Sequence, residues 1–212
     1  MRVGVIQAST KSDVNDLLFH SVQKAVKGVH EVVNFGVFPE EAESFSYVEV
    51  AVMISLLIET GSVDFVVTGC SSGQGMMLAC NSLPGLRCGF IQTPQDAYLF
   101  GRINNGNVAS LPLGLNFGWS GELNLQYTLD KLFEDEFGCG YPKEDAERKR
   151  QDTDKLIELA AITKRSFIDI LDQLDRSLFR KILLRESFYN AIMTNGKNQL
   201  LLEKLSAIKL TF

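Results

Sequence analysis

The sequence predicts an α/β fold of three layers, a parallel sheet with helices on both faces, followed by a helical C-terminal extension. Three observations predict it. Short continuous apolar runs alternate with helix-length patterns, as expected of parallel strands buried on both faces. Glycine-containing stops and loops punctuate the two kinds of segment, as at Gly61 and at 69–75. At Gly138-Cys139-Gly140-Tyr141-Pro142 the composition changes to a nearly all-charged stretch, Lys143 to Arg150. A chain of 212 residues has room for one α/β domain, 1–142, and an appendage, 143–212.

The elements follow in order. Val3 to Gln7 reads as a strand, and Asp13 to Lys27 as a helix with Val14, Leu17, Leu18, Val22 and Val26 on one stripe. Glu31 to Phe35 is the second strand, and Phe45 to Thr60 a helix that Gly61 stops. Phe65-Val66-Val67 is the third strand, running into a glycine loop and a helix to about Asn81. Leu86 to Ile91 and Asn107 to Leu111 are strands four and five, with a helix over Gln95 to Arg102 between them. Trp119 to Phe133 is the next helix. In the extension, helices are expected over 152–175, 177–193 and 197–208, packing on the body or on a partner subunit.

Composition excludes several classes of function. The apolar fraction of 45% and charged fraction of 22% are those of an ordinary soluble globule. No stretch has the length of a membrane span, and Met1-Arg2-Val3-Gly4-Val5-Ile6 enters a strand pattern at once, so a cytoplasmic protein without a signal peptide is expected. Cys70, Cys80, Cys88 and Cys139 show no CxxC spacing, which argues against a metal or disulfide framework and for reduced thiols. Residues 1–142 carry a net charge of −8 and residues 143–212 a net +3. An acidic body with a mildly basic tail is not a nucleic-acid binder.

The loop Thr68-Gly69-Cys70-Ser71-Ser72-Gly73-Gln74-Gly75-Met76 is where chemistry is expected. Beyond the carboxyl end of a parallel strand, at a helix start, free backbone N–H groups and the helix dipole suit an anion or a developing oxyanion. Gly69-Cys70-Ser71-Ser72-Gly73 formally matches GxSxG, but a serine hydrolase needs a histidine base, usually later in the chain. The two histidines, His20 and His30, both lie upstream. The GxGxxG order of a dinucleotide site and the Gly-Lys-Ser/Thr of a P-loop are absent. Cys70 remains as a base: a helix N-terminus favours the thiolate, and a thiolate accepts protons. With loop N–H groups to hold an enediolate oxygen, this equipment moves a proton between adjacent carbons of a sugar. Cys80 and Cys88 read as small buried residues.

These residues meet a known pattern. Cys70-Ser71-Ser72-Gly73-Gln74-Gly75-Met76-Met77-Leu78-Ala79-Cys80-Asn81 and Pro84-Gly85-Leu86-Arg87 resemble the Cys-Gly-Thr-Gly-Ile-Gly-Met-Ser-Ile-Ala-Ala-Asn and Gly-Ile-Arg stretches of type B ribose-5-phosphate isomerases and galactose-6-phosphate isomerase subunits. Asn104-Asn105-Gly106-Asn107-Val108 with Leu113-Gly114 is similar to their Asn-Asp-Ala-Asn-Val and Leu-Gly elements, and the likeness spans about residues 1–140. It implies a Rossmann-like five-stranded sheet and an aldose–ketose isomerase, an intramolecular oxidoreductase that works through an enediolate without cofactor or metal. It also implies a homodimer or tetramer, with the active site near the interface. By position, Cys70 would shuttle the proton and Ser72 would bond or relay from a hydroxyl. Ser71, Gly73, Gln74 and Gly75 would complete the oxyanion hole, while Tyr47 and Asn104 would face the sugar.

The departures point to an altered substrate. Gln7-Ala8-Ser9-Thr10-Lys11 stands where the family has Ser-Asp-His-Ala-Gly, so a hydroxyl-gripping aspartate and a phosphate-contacting histidine are missing. Ile103 replaces the ring-opening histidine, and Asn116 aligns with an arginine. Lys11, Arg102, Arg148 and Arg150 are the candidate phosphate ligands. Trp119 and Phe117 are candidates for shaping the pocket or packing at an interface. The expected ligand is a different sugar or sugar phosphate, one candidate being an already open-chain one that would need no ring-opening histidine. A sugar- or metabolite-binding protein without turnover is the alternative.

Overall fold

The computed structural model describes residues 1–115 and 118–212. Its strands are β1 (Arg2–Val5), β2 (Glu31–Asn34), β3 (Phe65–Cys70), β4 (Cys88–Phe90) and β5 (Val108–Pro112). They form one parallel sheet in the order β2-β1-β3-β5-β4. The helices of the body are α1 (Asn15–Ala25), α2 (Tyr47–Glu59), α3 (Gln74–Ser82), α4 (Pro94–Leu99) and α5 (Gly121–Leu132). In the extension are α6 (Ala146–Thr163), α7 (Phe167–Ile170), α8 (Arg176–Leu183), α9 (Glu186–Asn195) and α10 (Gln199–Lys209). The five-stranded parallel sheet with helices on both sides is the expected architecture.

Alternation along each strand sorts the core into two halves. Val3, Val5, Phe65, Val67, Ala109 and Leu111 join Leu18, Val22, Leu125 and Leu129 under α1 and α5. Val66, Cys70 and Val108 face the other way, into a cluster with α2 and α3. That second cluster continues outward through Phe167, Leu171, Phe179, Ile182, Phe188, Ile192 and Leu205 of the extension. The reason lies in α2. Its run from Val50 to Leu57 is buried throughout, because one side meets the sheet and the other meets the extension. The tail therefore packs on the body of its own chain, from α7 onward through this cluster and at α6 through the buried Thr153.

Several boundaries differ from expectation for local reasons. Ser9–Val14 is a 3₁₀ segment with Lys11 off helical geometry, so regular α-helix begins only at Asn15. Ser46 caps α2 by accepting from the Glu49 N–H while Glu49 accepts from the Ser46 N–H. After α4 the chain continues as a π-helical segment, Phe100–Asn104, ending at Asn105 with φ +45°. The charged stretch after Lys143 is helical from Ala146, laced by Arg148 to Asp145 and Asp152 and by Arg150 to Glu147. The helix expected over 152–175 breaks at Lys164–Ser166, where Lys164 turns aside to donate to the carbonyls of Asn81 and Leu83.

Ile182 is fully buried and belongs to the same cluster as α2. Ile182→Ala should therefore cost about 2–5 kcal/mol of global stability. Chemical denaturation should keep a single transition with a lower midpoint, whereas a separate early transition of the extension would contradict the shared core.

Candidate active site

The glycine loop grows out of the carboxyl end of β3, beside the carboxyl ends of β1 and β5. Cys70 pairs in register with Pro112 and is almost fully buried, its side chain on the α2 and α3 face of the sheet. The loop is tied down from both neighbours. The Gly69 carbonyl accepts from the Ala8 N–H, the Cys70 carbonyl from Leu113, and the Ser71 carbonyl from Gly114. Ser110 donates its hydroxyl to the Gly73 carbonyl at 2.7 Å, below the surface.

Two glycines make this crowding workable. Gly73 caps α3 at φ +75°, and a Cβ there would sit 2.8 Å from the Leu111 carbonyl carbon and from the Phe90 ring. At Gly75 a Cβ position lies 3.4–3.5 Å from the ring carbons of Tyr47, so the tyrosine ring rests against the start of α3. Among the described residues, none of the N–H groups of Ser71, Ser72, Gly73, Gln74 and Gly75 has a hydrogen-bond acceptor. Such free donors at a helix N-terminus form a cradle for negative charge. Ser71 and Gln74 are exposed, so the cradle opens outward in the single chain.

The structure brings together part of the predicted set. Cys70, Ser71, Ser72, Gly73, Gln74, Gly75 and Tyr47 share the carboxyl edge of the sheet. Lys11 lies just past the end of β1, where its N–H donates to the Ala8 carbonyl and its ammonium pairs with Asp13 at 3.1 Å.

Asn104 does not join them. It precedes β5, at the amino end, whereas Cys70 pairs with the last residue of that strand. The five residues of β5 alone hold the two ends roughly 15 Å apart. Arg148 and Arg150 lie in the first turns of α6, which docks at Asn104 through the Thr153 hydroxyl, and both are exposed and paired to neighbouring carboxylates. In one chain neither arginine is placed at the loop.

Arg102 is a correction. Its side chain is fully buried, donates to the Leu132 carbonyl at 2.9 Å, and lies over the rings of Tyr98 and Phe137. Burial pushes this guanidinium down from its ordinary value. Its place is inside the fold because it sits in the π-helical segment, whose inward face carries Phe100, Gly101 and Arg102. Asn116 and Phe117 lie outside the described residues, and Trp119 is fully exposed.

The other thiols are differently placed. A hydrogen bond with Cys80, and then burial, push the Cys88 thiol up, which keeps it protonated. His20 bonds the Asp16 carbonyl on α1, and His30 sits beside the N-terminal amine at the opposite end of the sheet from the loop.

Residues missed by the sequence reading hold the rim. Gln7 is fully buried, donating to the Val37 carbonyl and accepting from Asn15. The Ser9 hydroxyl accepts from the Phe45 N–H, and the Ser9 N–H donates to the Phe45 carbonyl. Polar side chains at the end of a buried strand were the available signal for both.

Fold and loop together define an α/β protein with a cysteine at the carboxyl edge of its third strand, directly before a helix N-terminus. The sequence pattern described as Ribose/Galactose Isomerase matches residues 6–138. A 4-deoxy-L-threo-5-hexosulose-uronate ketol-isomerase, solved as a complex with a tartrate, superposes with a TM-score of 0.94 at 36% identity, over 100% of each chain. A ribose-5-phosphate isomerase from Vibrio parahaemolyticus gives a TM-score of 0.92 at 31% identity, over 98% of this chain and 99% of its own. The type B ribose 5-phosphate isomerase of Trypanosoma brucei is 21% identical with a TM-score of 0.61, covering 74% of this chain and 97% of its own, and shares the fold. A search of curated proteins found no match. The chain belongs to the ribose/galactose isomerase family.

Tyr47 is carried by the first turn of α2, whose cap depends on Glu49. Burial alone would raise the Glu49 carboxyl, but hydrogen bonds from Lys181 and Ser46 outweigh it and hold the group below its usual value. A depressed pKa in the folded state means the contribution is complete above the usual carboxylate range and is lost as pH falls through the depressed value. Melting temperatures of wild type and Glu49→Gln should differ most near neutrality and converge below about pH 4. A constant gap down to roughly pH 3 would contradict this assignment.

Proposed function

We propose that the protein is an aldose–ketose isomerase acting on an open-chain sugar acid of the hexosulose-uronate class, with Cys70 as the proton-shuttling base. The observation that carries this is Cys70 at the end of β3, directly before the free N–H groups that open α3. In the forward step the Cys70 thiolate takes the proton from C2, next to the C1 aldehyde, and the electron pair moves onto O1. Loop N–H groups from Ser71 to Gly75 hold the resulting enediolate. Ser72 relays the hydroxyl proton from O2 to O1. The Cys70 thiol then protonates C1, leaving a C1 alcohol and a C2 ketone.

The substrate class is supported by what the site lacks. A pyranose closes through the C5 oxygen and a furanose through the C4 oxygen, both as hydroxyls. A 4-deoxy-5-ketone has neither, so the compound named for the ketol-isomerase relative presents its aldehyde without ring opening. Ile103, in place of the family's ring-opening histidine, fits such a substrate. A uronate carries a carboxylate instead of a phosphate, which fits the loss of the phosphate-contacting histidine. Lys11, at the same edge as Cys70, is the cation assigned to that carboxylate. No cofactor or metal enters this reaction.

Asn104 can take part only if a second copy brings its β5 amino end over the first copy's loop. The proposed working unit is therefore a homodimer, with each site built from the Cys70 loop of one chain and the Asn104 region of the other.

The test is isomerisation of 4-deoxy-L-threo-5-hexosulose uronate in D2O, followed by NMR, with pentose and hexose phosphates in parallel. Wild type should place deuterium at the carbon that receives the proton, and Cys70→Ala should lose at least about 100-fold in rate. Lys11→Ala should raise KM for the uronate more than it lowers kcat. Binding without exchange in the wild type, or full activity in Cys70→Ala, would sink the proposal.

A further inference from the structure

The segment between β2 and α2 passes along the rim of the site with little regular structure of its own. It starts at Phe35, exchanges hydrogen bonds with Ser9 at Phe45, and delivers Tyr47 onto Gly75. What grips it is the C-terminal extension, which lies beyond the residues matched by the family pattern. Arg185, between α8 and α9, donates Nη1 to the Phe35 carbonyl at 2.6 Å and Nε to Glu41 Oε2 at 2.8 Å, with Nη2 on Glu41 Oε1. Lys181 donates to the Ser44 carbonyl and pairs with Glu49 at 2.7 Å. Both cations also face the Phe45 ring, 4.7 Å from Lys181 Nζ and 5.5 Å from Arg185 Cζ to the centroid.

The grip is close-fitting. The Arg185 side chain is 9% exposed, and its fork meets the Glu41 carboxylate with two donors. Gly36, at φ +84°, leaves room for the pair, since a Cβ there would lie 2.6 Å from Arg185 Nη2. The start, middle and end of the segment are thus fastened to two side chains of one short stretch of the extension.

We infer that Arg185 and Lys181 are positioning residues for the active site, holding the Phe35–Ser46 segment so that Tyr47 and Ser9 present a fixed rim beside the Cys70 loop. This rests on the proposed isomerase reading for its kinetic consequence, but the geometric part does not depend on it. A displaced rim misplaces the substrate without touching the reacting atoms, and small misplacements are costly to rate.

The experiment pairs hydrogen exchange with kinetics for Arg185→Gln, with Arg176→Gln as a control. Arg176 sits on the same extension but contacts only Thr211 and Phe212 among the interactions described. In Arg185→Gln, amides over 36–47 and 71–76 should exchange faster while those of α9 and α10 stay protected. On the hexosulose uronate, kcat/KM should fall by roughly ten- to a hundredfold. Arg185→Lys keeps the charge beside Glu41 but cannot also reach the Phe35 carbonyl, and should recover part of the loss. It also serves if Arg185→Gln does not fold. Unchanged exchange over 36–47, or exchange that rises throughout the extension, would overturn the inference. So would loosened exchange with wild-type kcat/KM. Wild-type inactivity on the uronate would count against the substrate reading alone, and the exchange data would still decide the role of Arg185.

Discussion

Helix α2 needs cover on both sides, and much of the structure follows from that constraint. From Val50 to Leu57 every residue is buried, so the helix has no face to give to water. The sheet takes one side, and the extension takes the other with Phe179, Ile182 and Phe188. Removing apolar area of this kind from water supplies about 25 cal/mol per Å², the dominant favourable contribution to such packing. Once the extension is docked there, Lys181 and Arg185 stand over the segment leading into α2. The same contact that completes the core thus reaches the rim of the candidate active site.

The site itself is a consequence of parallel-sheet geometry. Strands β1, β3 and β5 end side by side, so the turns after them must lie together, and the loop after β3 is stitched to both neighbours. Its carbonyls are used in that stitching while, among the described residues, the N–H groups of Ser71 to Gly75 meet no acceptor. That asymmetry is the arrangement that suits negative charge, before any side chain is considered. Cys70 then needs only to be the last residue of the strand. The strand order also separates the two ends of β5, which is why Asn104 cannot serve the Cys70 loop of its own chain.

Some of the sequence reading succeeded because the signal was local. The glycine loop, the five strands and the cap at Gly61 depend on residues adjacent in the chain. Arg102 failed for the opposite reason: a charged residue next to a lost histidine looks like a ligand, and its burial against Tyr98, Phe137 and Leu132 is set by remote segments. Arg148 and Arg150 were legible as cations, but their pairing with Asp145, Asp152 and Glu147 requires the helix that the charged stretch turns out to form. The apolar character of Val50 to Leu57 on every face was present in the sequence and would have announced a second covering layer.

The loop 68–76, the alternation of strands and helices, and the likeness to sugar isomerases were determined by the sequence alone, because each rests on patterns of residues close together in the chain. Only the tertiary structure decided where the cations stand around the candidate site. Lys11 lies at its edge because β1 ends beside β3, and Arg102 is lost to the interior. Arg185 and Lys181, 115 and 111 residues beyond Cys70 in the chain, come to its rim through the burial of α2. Side chains so distant along the chain meet by packing, and packing depends on the whole fold.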